Sequence, residues 1–152
     1  MKQIFRSAAI AAVAFALGLI AAWSPAAVRA AAAPLQPAVI DLAAITPESL
    51  PPPGAATPNL RSKTLVVTDG ATIAVQMGTV FKHYHSDANE IQVVLDGSGS
   101  EWLGEKQVPL SPGTLLIVPK GTAHGGLVDS GKLKLLSIKT PPQDPTDTHP
   151  LP

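Results

Sequence analysis

From about Lys63 onward the chain alternates apolar and polar residues in short runs, and no stretch there keeps a helical period. Thr64–Thr68 is β-branched and meets Asp69-Gly70, a pair that favours a hairpin turn. Thr72–Met77 alternates with Ile73, Val75 and Met77 on one face. In Thr79–His85, Thr79, Phe81, His83 and His85 fall on one side, and Val80, Lys82 and Tyr84 on the other. Ser86-Asp87-Ala88-Asn89 is turn chemistry, and Glu90–Leu95 is the next strand, closed by Asp96-Gly97-Ser98-Gly99. Further strands are predicted at Ser100–Leu103, Lys106–Leu110, Thr114–Val118, Ala123–Val128 and Lys132–Thr140, with a turn at Asp129-Ser130-Gly131 before the last. Nine short strands separated by turn residues predict an all-β sandwich or barrel over 62–140.

Both ends break this rhythm. In residues 1–30, Lys2 and Arg6 precede an apolar run of 16 residues from Ala8 to Trp23, then Pro25 and Val28-Arg29-Ala30. That order is a secretory signal peptide cut after Ala30, with Ala31 and Ala32 as neighbouring alternatives. The run is shorter than the roughly 20 residues that span a bilayer, so an uncleaved anchor is the weaker alternative. No Arg-Arg pair precedes it, which favours Sec-type over twin-arginine export. The expected location is the periplasm or outside the cell, with no stable membrane anchor after cleavage.

Residues 31–61 are rich in Ala and Pro around Pro51-Pro52-Pro53-Gly54, a composition that favours extended chain. They read as an arm lying on their own domain or on a neighbour, or equally as a flexible linker. Val39–Leu42 is a candidate short strand, and Thr46-Pro47 opens a single helical turn to Leu50. Residues 141–152 hold five prolines in twelve and are expected to be a disordered tail, with His149 solvated.

Charge and composition narrow the partners. The chain balances 11 Lys and Arg against 11 Asp and Glu; losing Lys2, Arg6 and Arg29 with the signal leaves 8 against 11, a net charge of −3. No basic patch survives for nucleic acid or an anionic membrane. With no cysteine, the domain must hold by packing alone.

The chemistry concentrates in Gly78–Gly97, where His83, His85 and Glu90 lie within eight residues. On a strand, His83 and His85 present imidazoles about 6.5–7 Å apart at Cα on one face. The turn at 86–89 brings Glu90 back beside them. His124 follows a later stretch, in which Pro119 ends a strand and Gly121 permits the turn that swings the histidine inward. Three imidazole nitrogens and one carboxylate suit a first-row divalent metal and leave coordination positions open, as in a catalytic centre. Gln92 shares the face of Glu90, so it reads as a group that hydrogen-bonds a substrate oxygen or as a satisfied core amide. Trp102 reads as pocket wall, core or surface; Lys82 and Tyr84 face away, and Lys120 is a solvated charge in a rim turn.

Together these residues resemble the two motifs of the cupin superfamily. The first runs Gly78-x4-His83-x-His85-x4-Glu90-x6-Gly97, and the second Gly113-x5-Pro119-x-Gly121-x2-His124. The first interval is x4 where the family commonly has x5, and Val128 stands where its terminal Asn is expected. The resemblance implies a double-stranded β-helix, or jelly-roll, barrel with His83, His85, Glu90 and His124 as ligands of one divalent ion near its mouth. Fe or Mn is favoured from the family; Zn, Ni and Cu are alternatives. It also implies frequent dimerisation, here a homodimer. The expected function is a mononuclear metalloenzyme acting on a small organic molecule, dioxygenase-like or of isomerase or lyase type, with Glu90 and Gln92 as catalytic groups. The alternative is a non-catalytic periplasmic module that binds or senses a metal or small ligand.

Overall fold

The computed structural model describes residues 34–152, and for 127–132 the backbone alone. The expected signal peptide and its cleavage site lie outside the described residues. Eight strands follow in chain order: β1 (Leu60–Val67), β2 (Thr72–Gly78), β3 (His83–Tyr84), β4 (Asn89–Leu103), β5 (Lys106–Leu110), β6 (Leu115–Val118), β7 (His124–Thr140) and β8 (His149–Pro150). The only helical element among the described residues is a 3-10 turn at Pro47–Ser49, where the Thr46-Pro47 signal placed one.

The fold is organised by β4 and β7, an antiparallel ribbon paired from Asn89↔Thr140 to Leu103↔His124. Each half of the ribbon is flanked differently. Around Glu90–Val93 and Leu135–Lys139 the order is β1-β2-β7-β4-β6. Around Gly99–Leu103 and His124–Val128 it is β5-β4-β7-β3-β8. A single sheet therefore curls on itself, the all-β double-stranded β-helix that the two motifs imply. The curl encloses Val94, Leu110, Leu116, Val118, Leu133 and Leu135 as its apolar core. Each such side chain contributes about 1.5–3 kcal/mol when fully buried.

Two predicted turns are not turns. The chain passes through Asp96–Gly99 and through Asp129–Gly131 without reversing, because each strand finds its partner in the other on both sides of the bend. The ladder is irregular there, shifting between Val94 and Asp96 and again between Gly97 and Gly99. Glycine and turn residues serve here to bend and bulge a continuous strand. Conversely, the strand predicted at Thr79–His85 shrinks to His83–Tyr84, the pair with ladder partners in β7 and β8.

The arm lies against its own barrel. Lys134 Nζ donates to the Leu42 carbonyl, and to that of Ile45 at 2.7 Å. Arg61 Nη1 reaches the carbonyls of Leu50 and Pro51, both at 3.3 Å, over the buried Leu50 side chain. Val39–Leu42 forms no strand, and Val39 is fully exposed.

The expectation of a disordered tail is corrected. Residues 141–152 return across the mouth of the barrel, where β8 pairs with β3 and Leu151 N–H donates to the Lys82 carbonyl at 2.9 Å. The holding group is the Asp147 carboxylate. It accepts from Ser86 N–H at 2.6 Å, Ser86 Oγ at 2.7 Å and Ala88 N–H at 3.0 Å. A proline-rich segment has little apolar surface to bury; this one is held by charge-assisted hydrogen bonds instead.

Candidate metal centre

His83, His85, Glu90 and His124 come together, all buried, with one ligand atom from each within 4.8 Å of the others. Their elements explain this. His83 and His124 are register partners across β3 and β7, with ring centroids 4.2 Å apart. The approach needs Gly125: a Cβ there would lie 2.6 Å from the Phe81 carbonyl oxygen and 2.9 Å from Lys82 Cα. His85 follows β3 and is held by the motif turn after Pro119, because Gly121, at φ +79°, donates its N–H to the His85 carbonyl at 2.7 Å. Glu90 enters from β4 between Val118 of β6 and Lys139 of β7.

Each imidazole commits its Nδ1 to a backbone carbonyl: His83 to Phe81 at 2.8 Å, His124 to Thr122 at 2.9 Å, and His85 to Asp147 of the tail. A carbonyl oxygen only accepts, so Nδ1 carries the proton and Nε2 of a neutral ring carries the lone pair. Yet Nε2 of His85 and of His124 lie 3.1 and 3.2 Å from Glu90 Oε2, itself an acceptor. Acceptors turned on one another in a buried site need a cation between them. A proton can serve one pair; a divalent metal serves all four at once, and imidazoles oriented by carbonyls are the usual surroundings of such an ion. The donor set fits one divalent metal ion.

The electrostatics carry the same demand. Burial pushes the His83 ring down to about 4, and the neighbouring His124 adds to the fall. Burial also disfavours charge on His124, but the hydrogen bond and charge of Glu90 outweigh it and raise its pKa. Glu90 is held well below the ordinary carboxylate range: burial opposes this, and His124, His85 and Lys139 overcome it.

Around the four lie groups that the sequence reading did not nominate. Ser137 Oγ donates to Glu90 Oε1 at 2.6 Å, and Lys139 Nζ stands 3.5 Å from Oε2. Both were legible: they share a strand face with Leu133 and Leu135. Gln92, expected to point inward, is buried on that side, and its Nε2 donates to Glu101 Oε1 at 3.2 Å while its Oε1 has no partner. Glu101 is the unexpected member, buried behind Gln92. Burial lifts its carboxyl to about 7, with the charge of Glu90 adding and that of His124 opposing. The bulge in β4 put it there: Glu90, Gln92 and Val94 point inward, and beyond the bulge Gly99 and Glu101 do.

The remaining candidates sit away from the centre. Trp102 is partly buried, with the Lys82 ammonium 4.5 Å over its ring. Tyr84 stacks on His149 at 4.9 Å, and Lys120 is exposed. His149 is partly exposed beside Asp147 and outside the four-residue group. A cavity of about 160 Å³ opens beside the centre, reached by His83, Glu90 and Gln92 and otherwise walled largely by polar side chains. A larger space of about 450 Å³ lies between arm and barrel and touches none of the four.

Residues 71–139 match the family model of the cupin domain. With both motifs in place on this fold, residues 71–139 form a cupin domain. Among solved structures it is similar to KdgF from a Halomonas species, at 20% identity and TM-score 0.56 over 60% of this chain and 86% of that one. It is similar to the polyketide cyclase RemF from Streptomyces resistomycificus, at 20% identity and TM-score 0.54 over 63% and 73%. It is also similar to PAC13 from Streptomyces, solved as a variant with uridine, at 17% identity and TM-score 0.58 over 70% and 88%. Likeness at such identities speaks for the fold. No curated protein matches the chain.

Proposed function

We propose that this protein is an exported mononuclear metalloenzyme acting on a small organic molecule beside an ion held by His83, His85, Glu90 and His124. The observation that carries this reading is the convergence of His85 and His124 Nε2 on Glu90 Oε2, with a His83 ligand atom within 4.8 Å and every Nδ1 spent on a carbonyl. A bound divalent ion supplies Lewis-acid polarisation or a redox partner to a molecule at its open positions. The chain supplies the rest. His124, His85 and Lys139 hold Glu90 anionic, Ser137 donates to its other oxygen, Gln92 presents an amide to the cavity, and burial lifts the Glu101 carboxyl behind it to about 7. A carboxyl tuned in this way is a proton store for acid–base chemistry, which favours an enzyme. Dioxygenase-like chemistry on Fe or Mn is the first reading and isomerase or lyase chemistry the second.

A non-catalytic metal- or ligand-binding module is favoured by one observation, the small volume of the cavity, about 160 Å³. The discriminating experiment is metal analysis of the purified protein, followed by oxygen uptake and product analysis with phenolic, keto-acid and thiol substrates. One equivalent of metal in the wild type, lost in a His83→Ala/His85→Ala variant, is expected. Sub-stoichiometric metal in the wild type would reject enzyme and metal module together, and stoichiometric metal without turnover would leave the module. Export predicts that the mature protein, recovered from the periplasmic fraction, begins at Ala31; an intact Met1 would reject it.

A further inference from the structure

The cavity beside the four ligands has a wall whose unspent hydrogen-bonding groups specify what it takes. Two of those groups are on inward-facing neighbours of the β4/β7 ribbon. Gln92 is opposite Ser137, so Lys139 is its diagonal neighbour, at the about 7–8 Å typical of such pairs. Lys139 is the one lysine or arginine on the wall. Its ammonium has three N–H donors: one goes to Gln143 Oε1 at 2.7 Å, one leans on Glu90 at 3.5 Å, and the third has no hydrogen-bond partner among the described residues. Gln92 Oε1 is a buried acceptor without a partner, held in place because Nε2 on the same amide is engaged by Glu101. An orphaned acceptor of this kind is destabilising unless something arrives to satisfy it. Leu60 and Val80 supply apolar wall, and the volume of about 160 Å³ holds on the order of five water-sized groups.

A cation with a spare donor asks for an anionic oxygen; an amide oxygen with no partner asks for an O–H. We propose that the cavity binds a small hydroxy carboxylate, its carboxylate paired with Lys139 and its hydroxyl donating to Gln92 Oε1. This rests on the metal-centre reading, since a divalent ion engaged with Glu90 leaves the ammonium short of a counter-charge and an anionic ligand restores it. Lys139 and Gln92 are then specificity-determining residues, each reading one functional group of the ligand.

Calorimetric titration of the Co(II)-loaded protein, with the visible Co(II) absorption as a second readout, tests the pair. The probes are glycolate, acetate, which lacks the hydroxyl, and glycolamide, which lacks the charge. Glycolate should bind about tenfold more tightly than either, the worth of one hydrogen bond to a charged or otherwise orphaned group. Lys139→Met should close the gap between glycolate and glycolamide, and Lys139→Arg should keep it. Gln92→Leu should close the gap between glycolate and acetate, which chelation of the ion by the hydroxyl alone would leave open. Equal binding of the three probes by the wild type would overturn the inference, as would gaps that survive both substitutions. The same titration on chelator-treated protein separates the two readings. A hydroxy-acid preference in a protein that takes up no Co(II) would uphold this inference and reject the metal centre; Co(II) uptake with no preference would do the reverse.

Discussion

Glu101 shows how a single side chain acquires a property that its position in the sequence does not announce. Its carboxyl is raised from 4.5 to about 7 by burial, facing His124 and Glu90 and donated to by Gln92. A folded pKa above the unfolded one means that the folded state binds the extra proton between those values. Its contribution to stability is therefore full below about 4.5 and is lost as pH rises through about 7. Glu101→Gln should flatten the pH dependence of stability across that window by up to about 3 kcal/mol, measured by denaturant titration of chelator-treated protein at pH 5 and pH 8. An unchanged slope would remove Glu101 from this role. Ser137, which holds the Glu90 oxygen opposite the histidines, should matter differently: Ser137→Ala should weaken Co(II) binding about tenfold, read by competition with a chelator, while leaving the fold intact by circular dichroism. The ligand residues were legible because motif spacing and strand alternation both placed them inward. Ser137 and Lys139 were legible from alternation alone, and Glu101 was not, since a bulge changes which parity faces in.

Among the elements, the proline-rich end of the chain departs furthest from its sequence. It supplies the Asp147 carbonyl that orients His85 and the Asp147 carboxylate that ties down the turn at Ser86–Ala88. Those hydrogen bonds, working against burial, hold the carboxyl below its usual range, so its contribution to stability is present above 3.8 and is lost as pH falls below it. Deleting residues 141–152 should therefore lower Co(II) affinity about 10- to 100-fold, the usual scale for losing a group that orients a metal-binding histidine. Asp147→Asn should move the acid unfolding midpoint upward; a midpoint that does not move would show that the carboxylate holds nothing. Gly125 marks a second contact between elements. Gly125→Val should separate β3 from β7 and break the His83–His124 pairing, seen as loss of one of the Co(II) ligands by absorption spectroscopy. Composition reads a segment by its average, and neither a single anchoring carboxylate nor a close backbone approach shows in an average.

For the whole molecule, the ribbon of β4 and β7 is the economy of the fold: two strands serve both halves of one curled sheet, and the site draws its ligands from both halves. Leu115 (58%) and Ile117 (63%) stand exposed on β6, which pairs with β4 alone, and we propose this face as the contact of the homodimer that the family resemblance implies. Sedimentation should show a dimer that Leu115→Lys/Ile117→Lys converts to monomer; a monomeric wild type would send the exposed pair in search of another role.

Local order and ligand spacing were legible in the chain itself: alternation and turn residues show an all-β domain, and two gapped motifs show which four side chains belong together. Such features depend on near neighbours in sequence, which is why they survive without coordinates. What a turn-forming stretch becomes depends on whether a partner strand waits beyond it. At Asp96–Gly99 one does, so the chain bends where it was expected to reverse, and the bulge that results delivers Glu101 behind Gln92. The tail likewise became ordered because donors from residues 86–88, some sixty positions away, met one carboxylate. Parity across a bulge and hydrogen bonds between distant segments exist only after the sheet has closed.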